Sequence, residues 1–446
     1  MLTYELKKAP GIPLYEALYR CIRKDILTGA LPPGTKLPSK RALSAHLEVS
    51  KITVENAYNQ LLSEGFLRSV ERVGYFVEAV EGGVLPPPPP TALPEAPRGE
   101  GGMFPFSVWS RLQREVMLDL GQTLLLPLPN RGVYELRQAI AAHLSAFRGM
   151  AVDPAHILIG AGTDFLYNLL IQLLGREKIY AVEEPGYDKI RKIYAAGGVR
   201  CELAPMDEQG VIPAGLENAQ VLHISPSHHF PTGLVTPGKR RRELLSWAAA
   251  APDRYIIEAD YDSEFRFHAH PVPAMHTMDS AGRVIYMNTF SKSLAPSIRI
   301  SYMVLPPKLM EVFQTKLGFY SCTVPSFEQY TLARFLSRGY FEKHINRMRR
   351  RYKLRRNRLI SLLQSSPYAK RLTILEQDAG LHFLLKVDTR LSDEELAARC
   401  REAGVPLRTL SSYYAGSVPE SDRHCLLVSY ADLSEQAMDA LMKSGE

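Results

Sequence analysis

The sequence predicts a multidomain protein, mostly α-helical at its N-terminal end and α/β thereafter, and three observations carry that prediction. The chain has 446 residues, more than one ordinary hydrophobic core holds. Five consecutive prolines, Pro86 to Pro90, interrupt it, with Gly82, Gly83, Pro94 and Pro97 around them. The apolar periodicity also changes across that interruption, from purely helical spacing to helices alternating with short apolar runs. The expected divisions are a first domain at residues 1–80, a Pro/Gly-rich linker at 81–102 and a second domain at 103–446. A proline-rich segment stays extended, so the linker is expected to hold the domains apart.

Hydrophobic residues at 46% and charged residues at 23% are globular values and exclude a wholly disordered chain. The net charge of +7 favours a polyanionic partner. Five cysteines lie far apart with no Cys-x-x-Cys pair and no histidine at zinc spacing, so reduced thiols and no metal are expected. No apolar run is long enough to span a bilayer and no secretory pattern opens the chain, which sets the expectation of a soluble cytoplasmic protein.

In the first domain Leu14, Ala17, Leu18, Ile22 and Ile26 recur at helical spacing, and Gly29 to Gly34 breaks the pattern. Ser39 is placed to cap a second helix with Leu43 and Leu47 inward. Val49-Ser50 makes a turn, and Ser50 caps a third helix that carries Lys51, Thr53, Asn56 and Asn59 outward and Val54, Ala57, Tyr58, Leu61 and Leu62 inward, until Gly65. Phe66-Leu67-Arg68 and Tyr75-Phe76-Val77 read as two strands around a turn at Glu71-Arg72-Val73-Gly74. That order is a winged helix-turn-helix, whose third helix presents its N-terminal residues to base edges in the DNA major groove. Lys51 and Thr53 are expected to reach bases or phosphates, supported by Ser39 and Ser50, while Lys36, Lys40, Arg41, Arg68 and Arg72 neutralise the backbone of a double-stranded operator. The stretches Leu37-Pro38-Ser39-Lys40-Arg41, Val49-Ser50-Lys51-Ile52-Thr53-Val54 and Glu64-Gly65-Phe66-Leu67 resemble the GntR family of bacterial regulators. The wing departs from that family in having fewer glycines.

Beyond the linker, helical stretches such as 135–147 alternate with apolar runs at 156–159, 179–182, 221–224, 255–257 and 284–287. The runs are short, rich in β-branched or aromatic residues, and end in polar loops. A parallel sheet covered on both faces is expected, with ligands bound outside the carboxyl ends of its strands.

Those loops hold the chemistry. A lysine amine condenses with an aldehyde only when deprotonated, which desolvation and neighbouring cations promote. Lys292, between Thr289-Phe290-Ser291 and Arg299, is the candidate and is expected to be buried. Its expected partner is pyridoxal phosphate, held as an internal aldimine. Arg299, the hydroxyls of Thr289 and Ser291, and the backbone amides of Gly160-Ala161-Gly162-Thr163 at the start of a helix would take the phosphate. Tyr187, just after a strand, suits stacking on the pyridine or packing in the core. Tyr261 and His228 are candidates for hydrogen bonds to the phenolic oxygen. His228-His229 lacks a third ligand at useful spacing, so no metal is expected there.

Phe104-Pro105-Phe106 with Trp109, and the stretches 225–233, 260–266 and 289–299, are similar to the MocR-type subfamily of GntR regulators. The resemblance covers nearly the whole chain outside the linker. It implies a winged helix-turn-helix, an aspartate-aminotransferase-like domain that binds pyridoxal phosphate, and a domain-swapped homodimer. Two departures bear on function. Ala259 stands where the family has an aspartate that pairs with the pyridine nitrogen, and Asp260, one residue on, falls on the opposite face of a strand. Leu427 stands where the family has an arginine that grips an amino acid's carboxylate; Arg408 lies upstream. Both departures set the expectation of a degenerate aminotransferase domain that senses pyridoxal phosphate and regulates operator binding. The alternative is a working aminotransferase with a vestigial DNA-binding domain. Residues 347–358, rich in arginine, read as a solvated face or as a secondary phosphate contact.

Overall fold

The computed structural model describes residues 2–4, 6, 13–71, 73–79, 103–266, 272–376 and 380–431. The expected linker and Arg72 lie outside them. The chain divides into two units, Met1–Gly99 and Glu100–Glu446, each of which is taken by itself.

The first unit holds α1 (Leu14–Leu27), α2 (Lys40–His46) and α3 (Lys51–Ser63), followed by the hairpin β1 (Leu67–Val70) and β2 (Gly74–Val77). Its core follows from helical spacing: Leu18, Ile22 and Ile26 from α1 meet Val54, Ala57, Tyr58 and Leu61 from α3 over Leu43. Ser39 accepts from the Ala42 amide and Ser50 from the Thr53 amide, both at 3.1 Å, so the two expected caps start their helices. The Lys36–Phe76 bridge ties the segment before α2 to the hairpin.

The second unit opens with α4 (Phe106–Leu120) and α5 (Tyr134–Arg148). Then come β3 (Ile157–Gly160), α6 (Thr163–Leu174), β4 (Ile179–Glu184), α7 (Asp188–Ala196), β5 (Arg200–Asp207), β6 (Gly210–Val211), β7 (Val221–Ile224), α8 (Gly238–Ala249), β8 (Tyr255–Asp260), α9 (Met275–Met278), β9 (Val284–Thr289) and β10 (Ser301–Val304). The strands form one sheet in the order β3-β10-β9-β8-β7-β4-β5-β6. The expectation of a purely parallel sheet needs correcting. β4, β5, β7, β8 and β9 are parallel, but β10 runs antiparallel to both β9 and β3. The reason is the connection: only eleven residues, 290–300, join β9 to β10, too few for a crossover helix. Because β10 reverses twice, the carboxyl end of β3 lies on the same edge as those of β4, β7, β8 and β9.

After α10 (Pro307–Leu317), α11 (Ser326–Ser337) and the long α12 (Tyr340–Ser365), a second sheet forms from β11 (Leu372–Leu375), β12 (His382–Val387), β13 (Arg408–Thr409) and β14 (Cys425–Ser429), with α13 (Asp393–Glu402) against it. Its order is β11-β12-β14-β13, all antiparallel. Phe383, Leu385, Leu426 and Val428 face the main core, while Leu384, Cys425 and Leu427 face Phe230, Tyr413 and Tyr414. The arginine stripe on α12 is neither wholly solvated nor one face: Arg356 is buried, and Arg349 donates to the Glu264 carbonyl at 2.8 Å.

Candidate functional site

The loops at the carboxyl edge of the large sheet converge. Gly160-Ala161-Gly162 leads from β3 into α6, whose first turn carries backbone amides with no acceptor inside the helix. Gly162 has φ of +88°, and a Cβ on it would fall on the Arg299 guanidinium, so glycine is what lets that cation lie over the helix start. The Ala161 amide is already taken by the Thr323 hydroxyl at 3.0 Å and the Gly162 amide by the Gly160 carbonyl at 2.8 Å. The donors that remain are those of α6's first turn, opening at Thr163. Arg299 also lies 3.5 Å from Asp164, which Lys189 holds at 2.6 Å. All three are well exposed, so an incoming anion displaces little.

Thr289 differs from its expected part. It is buried, and its hydroxyl accepts from the Ser291 amide at 3.1 Å and from the Ser301 hydroxyl at 2.8 Å. Its own proton goes to the Ser291 hydroxyl at 3.1 Å. The relay from Ser301 through Thr289 leaves Ser291, half-buried, with a proton to give outward. Thr289 therefore shapes the turn, and Ser291 is the less buried of the two hydroxyls.

Lys292 is also corrected: in this chain it is exposed, not buried. It follows β9 by three residues, where the strand has ended and the crevice opens. Burial, then the neighbouring His228 and His229 and last the Lys292 charge, hold the His382 imidazole well below its usual range. His382, on β12, was not foreseen; no local pattern marks it, because another sheet brings it here.

Around Lys292 the aromatic and histidine side chains form a continuous wall. Tyr187, 51% exposed, packs edge-on to Phe230 at 5.7 Å, and Phe230 packs on His382 at 5.4 Å and Tyr413 at 5.2 Å. The His382 ring lies tilted against that of His228, with centroids 4.8 Å apart. His228 is 3% exposed, its Nδ1 is 2.8 Å from Asp262 and 3.1 Å from the Tyr261 hydroxyl, and the Gly380 backbone lies against its ring. It thus orients Tyr261 from behind and does not reach into the crevice. Behind the wall, burial pushes Glu183 up to about 8 and His229 down to about 3. The two are 3.6 Å apart, and both are neutral near pH 7.

Ala259 and Asp260 point to opposite faces of the sheet. Ala259 is in line with Ile257, which packs on the α6 side. Asp260 is buried on the other side, 3.2 Å from Arg148 and accepting from the Tyr286 hydroxyl at 2.6 Å. That carboxylate is neutralised where it stands and does not replace an acid at position 259. In the smaller sheet, Leu427 is paired with Arg408 across β14 and β13. Directly paired residues share a face, so exposed Arg408 stands on the crevice-facing side with Leu427, its guanidinium beside the Tyr413 hydroxyl.

In the N-terminal unit Lys36, Arg41 and Lys51 are exposed around the start of α2 and α3. Lys40 differs: it pairs with Glu55 at 2.7 Å and lies over the Tyr75 ring, which makes it a clamp between α2, α3 and the wing. Arg68 is half-exposed and pairs with Glu78 at 3.1 Å. The Ser50 and Thr53 hydroxyls bond each other at 2.8 Å. Among the described residues no helix is long and apolar enough to cross a membrane.

A winged helix-turn-helix and an aminotransferase-type sheet with a lysine at its ligand edge define a class: a DNA reader joined to a cofactor-binding domain. Residues 14–77 match the model of bacterial regulatory proteins of the gntR family, and residues 96–444 that of aminotransferase class I and II. The chain is 37% identical to the uncharacterized HTH-type transcriptional regulator YhdI of Bacillus subtilis, over 98% of this chain and 95% of that one. It is 31% identical to the probable rhizopine catabolism regulatory protein MocR of Rhizobium meliloti, over 97% and 93%. It is 30% identical to the HTH-type pyridoxine biosynthesis transcriptional regulator PdxR of Corynebacterium glutamicum, over 89% and 88%. In fold it is similar to LysN, an α-aminoadipate aminotransferase of Thermus thermophilus solved with N-(5'-phosphopyridoxyl)-L-leucine, at a TM-score of 0.65 and 24% identity over 77% of this chain and 88% of that one. The protein belongs to the MocR-type subfamily of GntR transcriptional regulators. Pyridoxal phosphate is the cofactor of its aminotransferase class, and the glycine-cleared guanidinium, the helix start and the outward Ser291 hydroxyl fit its phosphate.

Proposed function

We propose that pyridoxal phosphate, attached covalently at Lys292, changes how this regulator binds its operator, and that the aminotransferase-like domain serves as the sensor and not as an enzyme. In this reading Arg299, the first-turn amides of α6 and Ser291 hold the phosphate, Tyr187 covers one face of the ring, and Tyr261, steadied by His228 and Asp262, donates to the phenolic oxygen. When bound, the cofactor supplies an aldehyde that captures amines and a ring that can withdraw electrons once its nitrogen is protonated. The observation that carries the sensor reading is Asp260, turned to the far face and neutralised by Arg148. With Ala259 on the near side, that position supplies no carboxylate to hold a proton at the ring nitrogen. A domain-swapped homodimer in the cytoplasm, its two winged units meeting the two halves of an operator, completes the proposal.

The test is DNA affinity across a salt series, with and without pyridoxal phosphate, for the wild type and Lys292→Ala. The cofactor is expected to move wild-type affinity by about tenfold, a typical coupling between sites, and to leave the variant unmoved. Equal affinities at every salt concentration would sink the switch; a wild type that stays colourless with the cofactor would sink the attachment.

One observation favours a second reading, a working aminotransferase with a vestigial DNA-binding unit: Arg408 faces the crevice, where a guanidinium can take a substrate carboxylate. Single-turnover measurements with a panel of amino acids separate the two. Rapid loss of the cofactor's visible band with any of them supports the enzyme.

A further inference from the structure

Among the described residues of the N-terminal unit, two large apolar side chains are exposed by half or more, Ile52 at 68% and Val73 at 50%. Single exposed apolar residues are ordinary on protein surfaces. What sets these two apart is their place. The unit buries its other large apolar groups at least in part, and the two exceptions fall on the first turn of α3 and on the turn of the wing, the two elements that meet DNA in this fold.

Ile52 also belongs to a stripe. Asn56 and Asn59 lie four and seven residues on, which puts all three on one side of α3, and all are exposed. The floor of the major groove offers one apolar group to such a side chain, the C5 methyl of thymine, and asparagine is the side chain that pairs with adenine's N6 and N7 edge. Four residues of helix rise about 6 Å, between one and two base steps, so Ile52 and Asn56 address neighbouring pairs. We propose that Ile52 packs on a thymine methyl in each operator half-site and makes that position thymine-specific. This rests on the DNA-reading assignment and adds the base.

Uracil differs from thymine by that methyl alone, which makes the test direct. The full-length protein, with pyridoxal phosphate present, selects its preferred duplex from a random pool, and each thymine is then replaced singly by uracil. At one thymine per half-site, uracil is expected to weaken wild-type binding about fourfold, the factor that burying one methyl-sized group contributes. Ile52→Ala is expected to bind the thymine duplex at least about fourfold more weakly and to lose the distinction between the two bases at that position. Ile52→Val, which keeps a branched apolar tip, is expected to retain it. Uracil tolerated at every position, or discrimination unchanged in Ile52→Ala, would overturn the proposal. Failure of the DNA-reading assignment looks different: no salt-dependent binding to any duplex.

Discussion

At the residue scale the proposed phosphate site places Arg299 where a side chain on Gly162 would stand. Gly162 adopts φ of +88° with ψ of 166°, a region essentially reserved to glycine where other residues are strained by about 1–3 kcal/mol, and leaves the space that Arg299 fills. Gly162→Ala is therefore expected to displace the guanidinium and weaken pyridoxal phosphate binding by at least about tenfold, since a charge-assisted bond to phosphate contributes roughly 1.5–3 kcal/mol. An absorbance titration reads it directly, with a thermal melt to show that the fold survives. Unchanged affinity would mean that the phosphate lies elsewhere. The sequence named Thr289, Ser291 and Lys292 as neighbours, but it could not say which of the two hydroxyls is buried. Thr289 and Ser291 look equivalent in sequence, but Ser301, twelve residues beyond Thr289, donates to the Thr289 hydroxyl, which in turn donates to Ser291.

At the scale of elements, α2 carries two adjacent basic residues that sequence alone treats alike. Arg41 is exposed, whereas Lys40 is engaged by Glu55 and Tyr75. Arg41→Ala is expected to weaken operator binding evenly across sequences and to reduce the slope of log affinity against log salt by about one. Lys40→Ala is expected to leave that slope intact and to lower the melting temperature of the winged unit. Equal slopes for Arg41→Ala and the wild type would remove Arg41 from the interface. The helices of this unit were readable because their apolar spacing, caps and breakers agree locally. The smaller sheet of the second unit was not, because β11 to β14 are short strands whose pairing joins distant stretches of chain, and no local period announces a partner.

At the scale of the whole molecule, pH acts through groups that burial holds neutral. His223 and His229 are pushed down to about 3, and His143 and His344 to about 4, from an ordinary value of 6.5. Below 6.5 the unfolded chain therefore binds protons that the folded one refuses, and stability falls as pH drops. Glu183 and Glu264 are pushed up to about 8 from 4.5, so between those values the folded chain holds protons that the unfolded one has lost, and stability falls as pH rises. From 4.5 to 6.5 these four histidines, with His382, which burial also holds well below its usual range, outweigh Glu183, Glu264 and Glu258, which burial likewise raises; above that only the carboxyls act. The melting temperature is expected to peak near about pH 6.5, the ordinary histidine value, and to decline towards pH 8, less steeply in Glu183→Gln. A melting temperature that climbs steadily to pH 8 would contradict this balance.

The sequence by itself determined the winged helix-turn-helix, the α/β domain and the family, because each is written in spacing and residue type over a few turns or one loop. It also located Ala259 and Leu427, the two departures. Tertiary structure alone decided which side chains stand around those two positions. Strand alternation and the distant Arg148 fix Asp260 on the far face, and antiparallel register brings Arg408 alongside Leu427. Pairing between strands is set by contacts across the fold, and local sequence carries no record of which distant charge a side chain will meet.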